Sequence, residues 1–318
     1  MEKSRIVVTG VNGFVGEHLS RHLRDLDYAV HGIGRELQPN MKVATSLDMY
    51  SQCDLMNVDQ VESLSLSSAK AIIHLAGLAS VGESFVYPQR YMTGNGIMTD
   101  NILSTAAKQG FSGRVVVVST GAIYSPKQPM PINEQGAIGQ SSPYAVGKRF
   151  AEGVGEYYKT QGQDVVVARP FNHIGPGQGV GFLIPDLYSQ ITCSKEKNTQ
   201  TILTGNLSTR RDYTDVRDIV RAYVMLATAE SLEQSVYNIS SGASYSGREI
   251  LDSLLSAMDI TNLKTEVDQS KVRPTDAQEI IGDHARISEE LHWAPTISID
   301  STIKDFVEAH RSDLLDVA

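Results

Sequence analysis

The sequence predicts an α/β fold, in which a doubly wound parallel sheet is joined to a smaller carboxyl-terminal α/β domain. Three observations carry this prediction. The first half of the chain alternates short β-branched segments with segments of helical periodicity, which is typical of a parallel sheet covered by helices on both faces. Residues 115–118 are continuously apolar, as expected of a strand that is buried on both faces. After Arg169 the alternation gives way to a segment rich in glycine and proline, and then to shorter, mixed elements.

The individual elements follow from the spacing of apolar residues. Strands are predicted at residues 5–9, 28–33, 70–75, 114–119 and 164–169. Helices are predicted at residues 13–26, 88–108 and 144–160, and near residues 184–194, 216–227 and 247–258. We therefore expect a sheet domain at residues 1–170, with a returning segment near 212–238, and a smaller domain formed mainly by residues 171–318. Doubly wound sheets bind ligands at the carboxyl ends of their strands, so the smaller domain is expected at that edge.

Composition narrows the class of protein. The 318 residues exceed the ~250–300 residues at which a single core usually stops growing. A formal net charge of -9, without a basic stripe, argues against a nucleic-acid partner. No apolar run approaches the roughly 20 residues that a membrane span needs, so no membrane association is expected. The two cysteines, Cys53 and Cys193, lack metal-ligand spacing and indicate reduced thiols in a cytoplasmic protein without a metal site.

A glycine-rich segment joins the first predicted strand to the first predicted helix. Its glycines, Gly10, Gly13 and Gly16, have the spacing G-x-x-G-x-x-G. In this context the first glycine makes a tight turn, the second lets the backbone approach a pyrophosphate, and the third allows close helix–strand packing. The N–H groups at the start of the helix attract an anion. The segment therefore predicts a dinucleotide site on a Rossmann-type sheet, and the other residues expected to contact the ligand there are Asn12, Phe14 and Val15.

The end of the second predicted strand bears on the type of dinucleotide. An acidic residue there usually binds the ribose 2′-hydroxyl of NAD, whereas an arginine accommodates the 2′-phosphate of NADP. This chain has Arg35 followed by Glu36. Because Arg35 favours NADP and Glu36 leaves NAD possible, NADP is the predicted cofactor.

A tyrosine and a lysine with helical spacing form the predicted catalytic centre. Tyr144 and Lys148 lie four residues apart and so share one face of the predicted helix. Ser142 and Pro143 precede them as cap and first helical residue, which places Tyr144 in the first turn. The positive helix end and the Lys148 ammonium are expected to lower the pKa of Tyr144, as suits a general acid or base. Thr120, at the end of the fourth predicted strand, is expected to hydrogen-bond the substrate oxygen.

In this order, these segments resemble the extended short-chain dehydrogenase/reductase family, also called the NAD-dependent epimerase/dehydratase family. Asp54-Leu55 resembles the family's acid–apolar pair beside the adenine, and residues 74–77 resemble the strand end beside the nicotinamide ribose. The resemblance covers essentially the whole chain and implies an NAD(P)-dependent enzyme with Thr120, Tyr144 and Lys148 as its catalytic set. Besides the glycine segment and Arg35, it implies cofactor contacts from Asp54, Leu55, Leu75, Ala76, Gly77, Asn95, Ser119, Tyr144, Lys148, Pro170, Phe171, Asn172 and His173.

Within this family, the second half of the chain resembles the GDP-4-keto-6-deoxy-mannose reductases. The resemblance rests on residues 169–178, 181–185, 205–207, 211–215, 273–274, 282–283 and 293–295. It implies hydride transfer from NAD(P)H to the C4 keto group of a nucleotide-linked 4-keto-6-deoxy-hexose, specifically GDP-4-keto-6-deoxy-mannose, which would become GDP-rhamnose. GDP is favoured over other nucleotides by this resemblance alone. The expected substrate contacts are Ser80, Thr120, Asn172, Phe182, Asn206, Arg211 and Arg273, the two arginines pairing with the diphosphate.

Two other functions are less consistent with the catalytic residues. A 4,6-dehydratase needs an additional acid or base beside the catalytic threonine. Here Thr120 is followed by Gly121 and Ala122, and neither can move a proton. A catalytically silent sensor of nucleotides would typically lack Tyr144 or Lys148, and both residues are present.

A nucleotide-sugar 4-epimerase remains the alternative to a reductase. Residues 74–84 resemble a segment of the UDP-galactose 4-epimerases. In those enzymes a lysine that contacts the retained cofactor usually stands where this chain has Ala79. The loss of that lysine fits a cofactor that exchanges at each turnover, as a net reductase requires.

The family resemblance also implies a two-fold homodimer. The helices at residues 88–108 and 144–160 are expected to pair with their copies in the partner. The apolar positions that indicate such a surface are Ile97, Ile102, Leu103, Phe150 and Val154, some of which must face the sheet.

Overall fold

The computed structural model of the protein describes residues 3–197, 199–269 and 277–315. Up to Pro170 the chain alternates strands with helices, as predicted. The strands are β1 (Arg5–Thr9), β2 (Ala29–Gly34), β3 (Met49–Gln52), β4 (Ala71–His74), β5 (Arg114–Val118) and β6 (Val165–Pro170). The helices are α1 (Phe14–Asp25), α2 (Met41–Ala44), α3 (Val58–Glu62), α4 (Val81–Val86), α5 (Pro88–Lys108) and α6 (Pro143–Thr160), with a 3-10 helix at Gly121–Ile123.

The second half of the chain consists of shorter elements. Its strands are β7 (Asn172–Ile174), β8 (Thr201–Thr204), β9 (Arg210–Asp215), β10 (Val236–Ile239), β11 (Ser244–Ser246), β12 (Lys264–Val267) and β13 (Glu279–Ile280). Its helices are α7 (Leu183–Glu196), α8 (Val216–Thr228), α9 (Gly247–Ala257), α10 (Ala285–Leu291) and α11 (Ile299–Leu315). Among the helices in the described ranges, none combines the length and the apolar character needed to cross a membrane.

A seven-stranded sheet with the order β10-β6-β5-β4-β1-β2-β3 forms the centre of the molecule. All neighbouring strands in it are parallel. The chain leaves β1 in one direction through β2 and β3, and then returns to β4 on the other side of β1. Doubly wound sheets bind ligands at the carboxyl ends of the strands where the order reverses, so the cleft is expected beyond β1 and β4. The predicted fold class is confirmed.

Alternation along the strands divides the buried residues between two faces of the sheet. On β1, Ile6 and Val8 belong to the apolar core beneath α1 and α8, whereas Val7 belongs to the core beneath α3 and α5. All three side chains are fully buried. Helices on both faces therefore explain why the strand segments of the sequence are almost continuously apolar.

Helices α5 and α6 pack unusually closely. A side-chain carbon at Gly147 of α6 would lie 2.0 Å from the carbonyl oxygen of Tyr91 on α5. A side-chain carbon at Gly96 of α5 would lie 2.0 Å from the ring of Phe150 on α6. Because each helix has a glycine where it contacts the other, the two backbones approach closely and the beginning of α6 is fixed against α5 and the sheet.

A smaller set of elements lies beyond β6. Strand β9 pairs with β7, β11 and β13, and β8 pairs with β12. Helices α7, α9 and α11 share an apolar core that includes Leu187, Leu251 and Phe306. The predicted boundary between two domains, near residue 170, stays a prediction, because α8 and β10 from the second half complete the central sheet and its core.

The predicted elements are all present within two residues of their expected bounds. The structure contains further elements that were not predicted, among them β3 of the central sheet and most of the short strands after β6, and β10 falls at the end of the predicted returning segment. Two of the apolar positions expected at a dimer surface, Ile102 and Leu103, are fully buried in the core beneath α5, so they are not available to a partner. Phe150 is 45% exposed.

Candidate active site

The glycine segment turns from β1 into α1 at the carboxyl edge of the sheet. Gly10 has a φ of +69°, and a side chain there would lie 2.9 Å from the backbone of Ala76 at the end of β4. A side chain at Gly16 would lie 2.4 Å from the Val11 carbonyl oxygen, so α1 packs directly on the turn. Gly13 is the N-cap residue of α1. Among the described residues, no side chain caps the N–H groups in the first turn of this helix. These N–H groups are therefore suited to bind an anion.

A hydrogen-bonded cluster fixes the loop that follows β2. The Asn12 amide donates to the Glu36 carboxylate at 2.7 Å, and the Tyr50 hydroxyl donates to the Glu36 carbonyl oxygen at 2.7 Å. The Asn12 hydrogen bond is the main reason why the pKa of Glu36 lies below its usual range. A side chain at Gly34 would lie 2.7 Å from the Tyr50 hydroxyl. Arg35 stands between these anchored residues with an exposed side chain.

The start of α6 places Tyr144 and Lys148 beside the end of β5. The Ser142 hydroxyl caps the helix by accepting from the Ala145 N–H at 3.1 Å, and Pro143 is the first helical residue. This is the predicted arrangement. Tyr144 and Lys148, one turn apart, are 8% and 7% exposed.

Three side chains meet at this point. The Thr120 hydroxyl lies near the phenol of Tyr144 and acts to lower its pKa. The Thr120 hydroxyl also accepts from the Ala122 N–H at 3.1 Å, which fixes its position at the start of the 3-10 helix. The Lys148 ammonium donates to the Val118 carbonyl oxygen at 2.9 Å. The structure thus brings together the three predicted catalytic residues from β5 and α6.

Burial sets the protonation states of this site. It raises the pKa of Tyr144, and the Thr120 hydroxyl only partly opposes the shift. The expected lowering of the pKa of Tyr144 is therefore wrong for the protein alone, because the loss of hydration around a phenolate outweighs the helix end. Burial lowers the pKa of Lys148 to about 8, and Glu152 acts in the opposite direction. Near neutral pH the site holds a neutral phenol beside a protonated lysine.

The end of β4 forms a narrow part of the cleft. A side chain at Gly77 would lie 2.8 Å from the Asn95 Oδ1 and 3.1 Å from the Lys148 Nζ. Asn95 is buried, and its Oδ1 accepts from the Leu78 N–H at 2.8 Å, so it supports the loop after β4. Ser119 is 2% exposed, and within the described ranges its hydroxyl has no hydrogen-bond partner. The absence of a side chain at Gly77 keeps the Asn95 and Lys148 groups uncovered, and the unsatisfied hydroxyl at Ser119 fits a polar ligand.

The segment after β7 lies against the start of α1. The rings of Phe14 and His173 stack with their centroids 6.3 Å apart and their planes 7° from parallel. The His18 Nε2 and the Pro176 carbonyl oxygen are 2.8 Å apart. Val15 is half-buried against the core beneath α1. Two predicted cofactor contacts from distant parts of the chain, Phe14 and His173, are therefore neighbours.

Several predicted cofactor residues lie in cores and turns. Leu55 and Phe171 are 4% and 5% exposed and pack inside apolar cores. Pro170 is buried at the end of β6, and Leu75 packs on the core beneath α1. Asp54 is exposed, and its carboxylate accepts from a neighbouring backbone N–H at 3.0 Å within a turn.

The predicted substrate contacts are spread over the second half of the chain and the loop after β4. Ser80 caps α4, and Asn206 accepts hydrogen bonds within its own turn. Asn172 is exposed and pairs with β9, and Phe182 is 47% exposed at the start of α7. Arg211 donates to two backbone carbonyl oxygens at 2.7 and 2.9 Å. Arg273 lies outside the described residues, so the expected pairing of both arginines with a diphosphate stays a prediction.

The structure contains a buried ion pair near the site that was not predicted from the sequence. Arg169 donates to both carboxylate oxygens of Glu152 at 2.8 Å, and the two side chains are 6% and 1% exposed. Arg169 also donates to the Tyr124 hydroxyl at 2.8 Å. Glu152 follows Tyr144 and Lys148 at the same four-residue spacing, which places all three on one face of α6. That spacing is the signal in the sequence that could have found it.

The residues at this edge of the sheet fit a dinucleotide. The glycine turn would hold the pyrophosphate at the N-terminus of α1. Gly77, the Ser119 hydroxyl and the Lys148 ammonium lie farther along, beside the ends of β4 and β5. The Tyr144 phenol and the Thr120 hydroxyl then stand where a substrate oxygen could receive a proton and a hydrogen bond.

Comparison with known proteins identifies the family. A model of the GDP-mannose 4,6 dehydratase family matches residues 7–306. The chain belongs to this family. The predicted resemblance is thereby confirmed, and the protein is an NAD(P)-dependent oxidoreductase of the nucleotide-sugar class.

Individual relatives carry different activities. The chain is 33% identical over 306 residues to GDP-6-deoxy-D-mannose reductase of Pseudomonas aeruginosa, covering 94% of this chain and 95% of the relative. The solved structure of RMD from Pseudomonas aeruginosa complexed with NADPH matches with a TM-score of 0.85 and 30% identity, covering 98% of this chain and 100% of that one. UDP-glucose 4-epimerase from Thermotoga maritima, with UDP-glucose, matches with a TM-score of 0.86 and 25% identity, covering 98% and 99%.

Proposed function

We propose that the protein reduces the C4 keto group of a nucleotide-linked 4-keto-6-deoxy-hexose, with GDP-4-keto-6-deoxy-mannose as substrate and GDP-rhamnose as product. The observation that carries this proposal is the neutral, buried phenol of Tyr144, near the Thr120 hydroxyl and one helical turn from the Lys148 ammonium. Reduction of a ketone needs a proton donor at the carbonyl oxygen, and this phenol is one. The reductase relative with 33% identity over nearly the whole chain supports the choice of sugar.

The side chains of the site divide the work of reduction. When bound, NADPH supplies the hydride that reaches C4. Thr120 donates a hydrogen bond to the keto oxygen and polarises it, and Tyr144 gives the oxygen its proton. The phenolate left on Tyr144 lies in a dry site, where the Lys148 ammonium stabilises it until solvent returns the proton. The result is a C4 hydroxyl and an enzyme restored to its initial protonation state.

Membership of a family named for a dehydratase does not require this chain to dehydrate. Removal of water across C5 and C6 needs a further acid or base beside Thr120. The next positions are Gly121, which packs against the ring of Phe171, and Ala122, which is exposed. Since neither can exchange a proton, reduction is supported over dehydration.

A 4-epimerase remains the second candidate. The likeness to UDP-glucose 4-epimerase at 25% identity and a TM-score of 0.86 favours it. An epimerase oxidises and then reduces C4 on a cofactor that it retains. The exposed Ala79 offers no charged contact of the kind expected to retain a cofactor, so we rank the reductase first.

We infer that NADP is the preferred cofactor. The exposed Arg35 stands at the end of β2, where an arginine accommodates the 2′-phosphate. The similar solved structure that is complexed with NADPH supports this choice. The Glu36 carboxylate is held by Asn12 and leaves NAD as a weaker alternative.

A homodimer and a cytoplasmic location complete the proposal. Besides Phe150, Met92 of α5 and Tyr157 of α6 are 37% and 58% exposed. An apolar surface on two adjacent helices suits pairing with a second copy. Cys53 and Cys193 are free thiols, as a reducing compartment would leave them.

Tyr144→Phe tests the proton donor. The variant keeps the ring but removes the phenolic proton, so kcat should fall by about 10²–10⁴-fold, the usual contribution of a general acid. The measurement is NADPH oxidation with the 4-keto sugar. Tyr157→Phe, an exposed tyrosine on the same helix, should retain full turnover. Undiminished turnover in Tyr144→Phe would remove Tyr144 from the mechanism.

A panel of sugars tests the substrate. The protein and NADPH are incubated with 4-keto-6-deoxy-hexoses carrying GDP, dTDP or UDP, and the loss of NADPH absorbance is followed. We expect oxidation with the GDP sugar alone. If Arg211 pairs with the diphosphate, Arg211→Ala should raise KM by about tenfold or more, because charged hydrogen bonds contribute roughly 1.5–3 kcal/mol. The same increase is expected for Arg273→Ala.

The same panel separates the two candidate functions. Interconversion of UDP-sugars at C4 without net NADPH consumption would establish the epimerase and exclude the reductase. Oxidation of NADPH with the dTDP or UDP sugar would keep the reductase but change its nucleotide.

Arg35→Ala tests the choice of cofactor. Removing the guanidinium should weaken NADPH binding by about tenfold or more, because a charged hydrogen bond to phosphate is lost, and should leave NADH binding nearly unchanged. Fluorescence titration of both cofactors provides the dissociation constants. Arg24→Ala, an exposed arginine at the far end of α1, is the control. Equal affinities of the wild type for NADH and NADPH would show that Arg35 does not select.

Phe150→Glu tests the dimer. A charge placed on the exposed apolar face of α5 and α6 should convert a dimer to a monomer, as measured by light scattering at micromolar concentration. Val267→Glu places the same charge on another exposed apolar residue, 58% exposed on β12, and should leave the mass unchanged. A wild type that is monomeric at that concentration would refute the homodimer.

A further inference from the structure

Glu152 is a buried carboxylate that the proposed reaction does not use directly. It lies one turn after Lys148 and two turns after Tyr144, on the same face of α6. Its side chain is 1% exposed. Burying a carboxylate costs free energy unless cations compensate its charge. The groups around Glu152 therefore indicate why its charge is kept in the interior.

Two arginines hydrogen-bond the Glu152 carboxylate. Arg169, at the end of β6, binds both carboxylate oxygens at 2.8 Å and is itself 6% exposed. Arg149, at the surface of α6, donates to Glu152 at 3.1 Å and to Glu156 at 2.8 Å.

Among the described residues, Glu152 is the one carboxylate whose charge acts on Lys148, from one turn away on the same face of α6. From β4 comes His74, which burial keeps neutral by lowering its pKa to about 3. From α5 comes the uncharged Asn95 amide, and from β5 the Val118 carbonyl oxygen. The Tyr144 phenol on its own helix is neutral as well. The charge that stabilises the ammonium therefore comes from Glu152, whose field Arg169 partly offsets.

We propose that Glu152 is a positioning residue for the catalytic site, whose carboxylate keeps the buried Lys148 ammonium charged while Arg169 fixes that carboxylate in place. The role rests on the proposed function, in which the charged Lys148 stabilises the Tyr144 phenolate. Burial alone lowers the pKa of Lys148, and Glu152 is the group that opposes this. Without the Glu152 carboxylate, a larger fraction of the enzyme would carry a neutral Lys148 at neutral pH.

Opposite substitutions in the ion pair should move Lys148 in opposite directions. In Glu152→Gln the pKa of Lys148 should fall by about one unit or more, since a nearby anion is lost and the Arg169 cation remains. In Arg169→Gln it should rise, since the anion remains and a cation is lost. A packing role alone would lower stability in both variants without this change of sign.

The measurement is a carbon-13 NMR titration of the lysine side chains in the protein without cofactor or substrate, with Lys148→Arg used to identify the resonance. Glu156→Gln is the matched control, because Glu156 lies on the same helix and pairs with Arg149 but is 54% exposed. It should leave the pKa of Lys148 unchanged. In the reductase assay, the alkaline limb of kcat should move to lower pH in Glu152→Gln and to higher pH in Arg169→Gln.

An identical Lys148 titration in wild type, Glu152→Gln and Arg169→Gln would overturn the proposal. If Glu152→Gln does not fold because Arg169 is left unpaired, Arg169→Gln and the double variant still decide, the double variant being expected between the two single ones. The NMR titration needs no turnover. A wild type that titrates as expected but reduces no 4-keto sugar would therefore refute the proposed function and leave the role of Glu152 intact.

Discussion

The position of the reactive turn depends on the absence of a side chain at Gly147. This residue lies between Tyr144 and Lys148, where α6 crosses α5 so closely that a methyl group would overlap the Tyr91 carbonyl oxygen. Any bulk there would push α6 outward and carry the phenol and the ammonium with it. On the other side, the hydrogen bond from Lys148 to the Val118 carbonyl ties the same turn to the end of β5. The site is thus located by contacts with the backbone of α5 and β5.

Burial of the Tyr144 phenol favours reduction of a ketone over oxidation of an alcohol at this site. A phenol that is kept protonated by desolvation is prepared to give a proton, which suits the formation of an alcohol from a ketone. The same desolvation makes the phenolate difficult to form, so the stabilising groups must be present before the reaction starts. Thr120 and Lys148 are both anchored to the backbone by hydrogen bonds, at Ala122 and Val118. Little reorganisation is then needed when the charge appears.

The sequence predicts what depends on local spacing and does not predict what depends on distant contacts. Strands buried on both faces leave apolar runs, and the turn at Gly10 needs a residue that accepts a positive φ, so these features are visible in the sequence. The order of Thr120, Tyr144 and Lys148 is likewise a matter of spacing. The side chains of Leu55 and Phe171 pack into cores because of partners far along the chain, which no motif records. The sign of the pKa shift of Tyr144 and the pairing of Glu152 with Arg169 also depend on the degree of burial, which only the folded chain determines.

The late arrival of β10 has a consequence for the synthesis of the protein. The central sheet begins at Arg5 but is complete only when residues 236–239 pair with β6. Its inner apolar face, which includes Val116 and Val166, is covered by α8, and Trp293 is buried in the same core. A nascent chain that has reached only the end of β6 therefore presents the part of that face that α8 would cover, together with the unpaired edge of β6. Exposed apolar surface and open strand edges are what chaperones bind and what drives aggregation, so the growing chain depends on protection until most of it has left the ribosome.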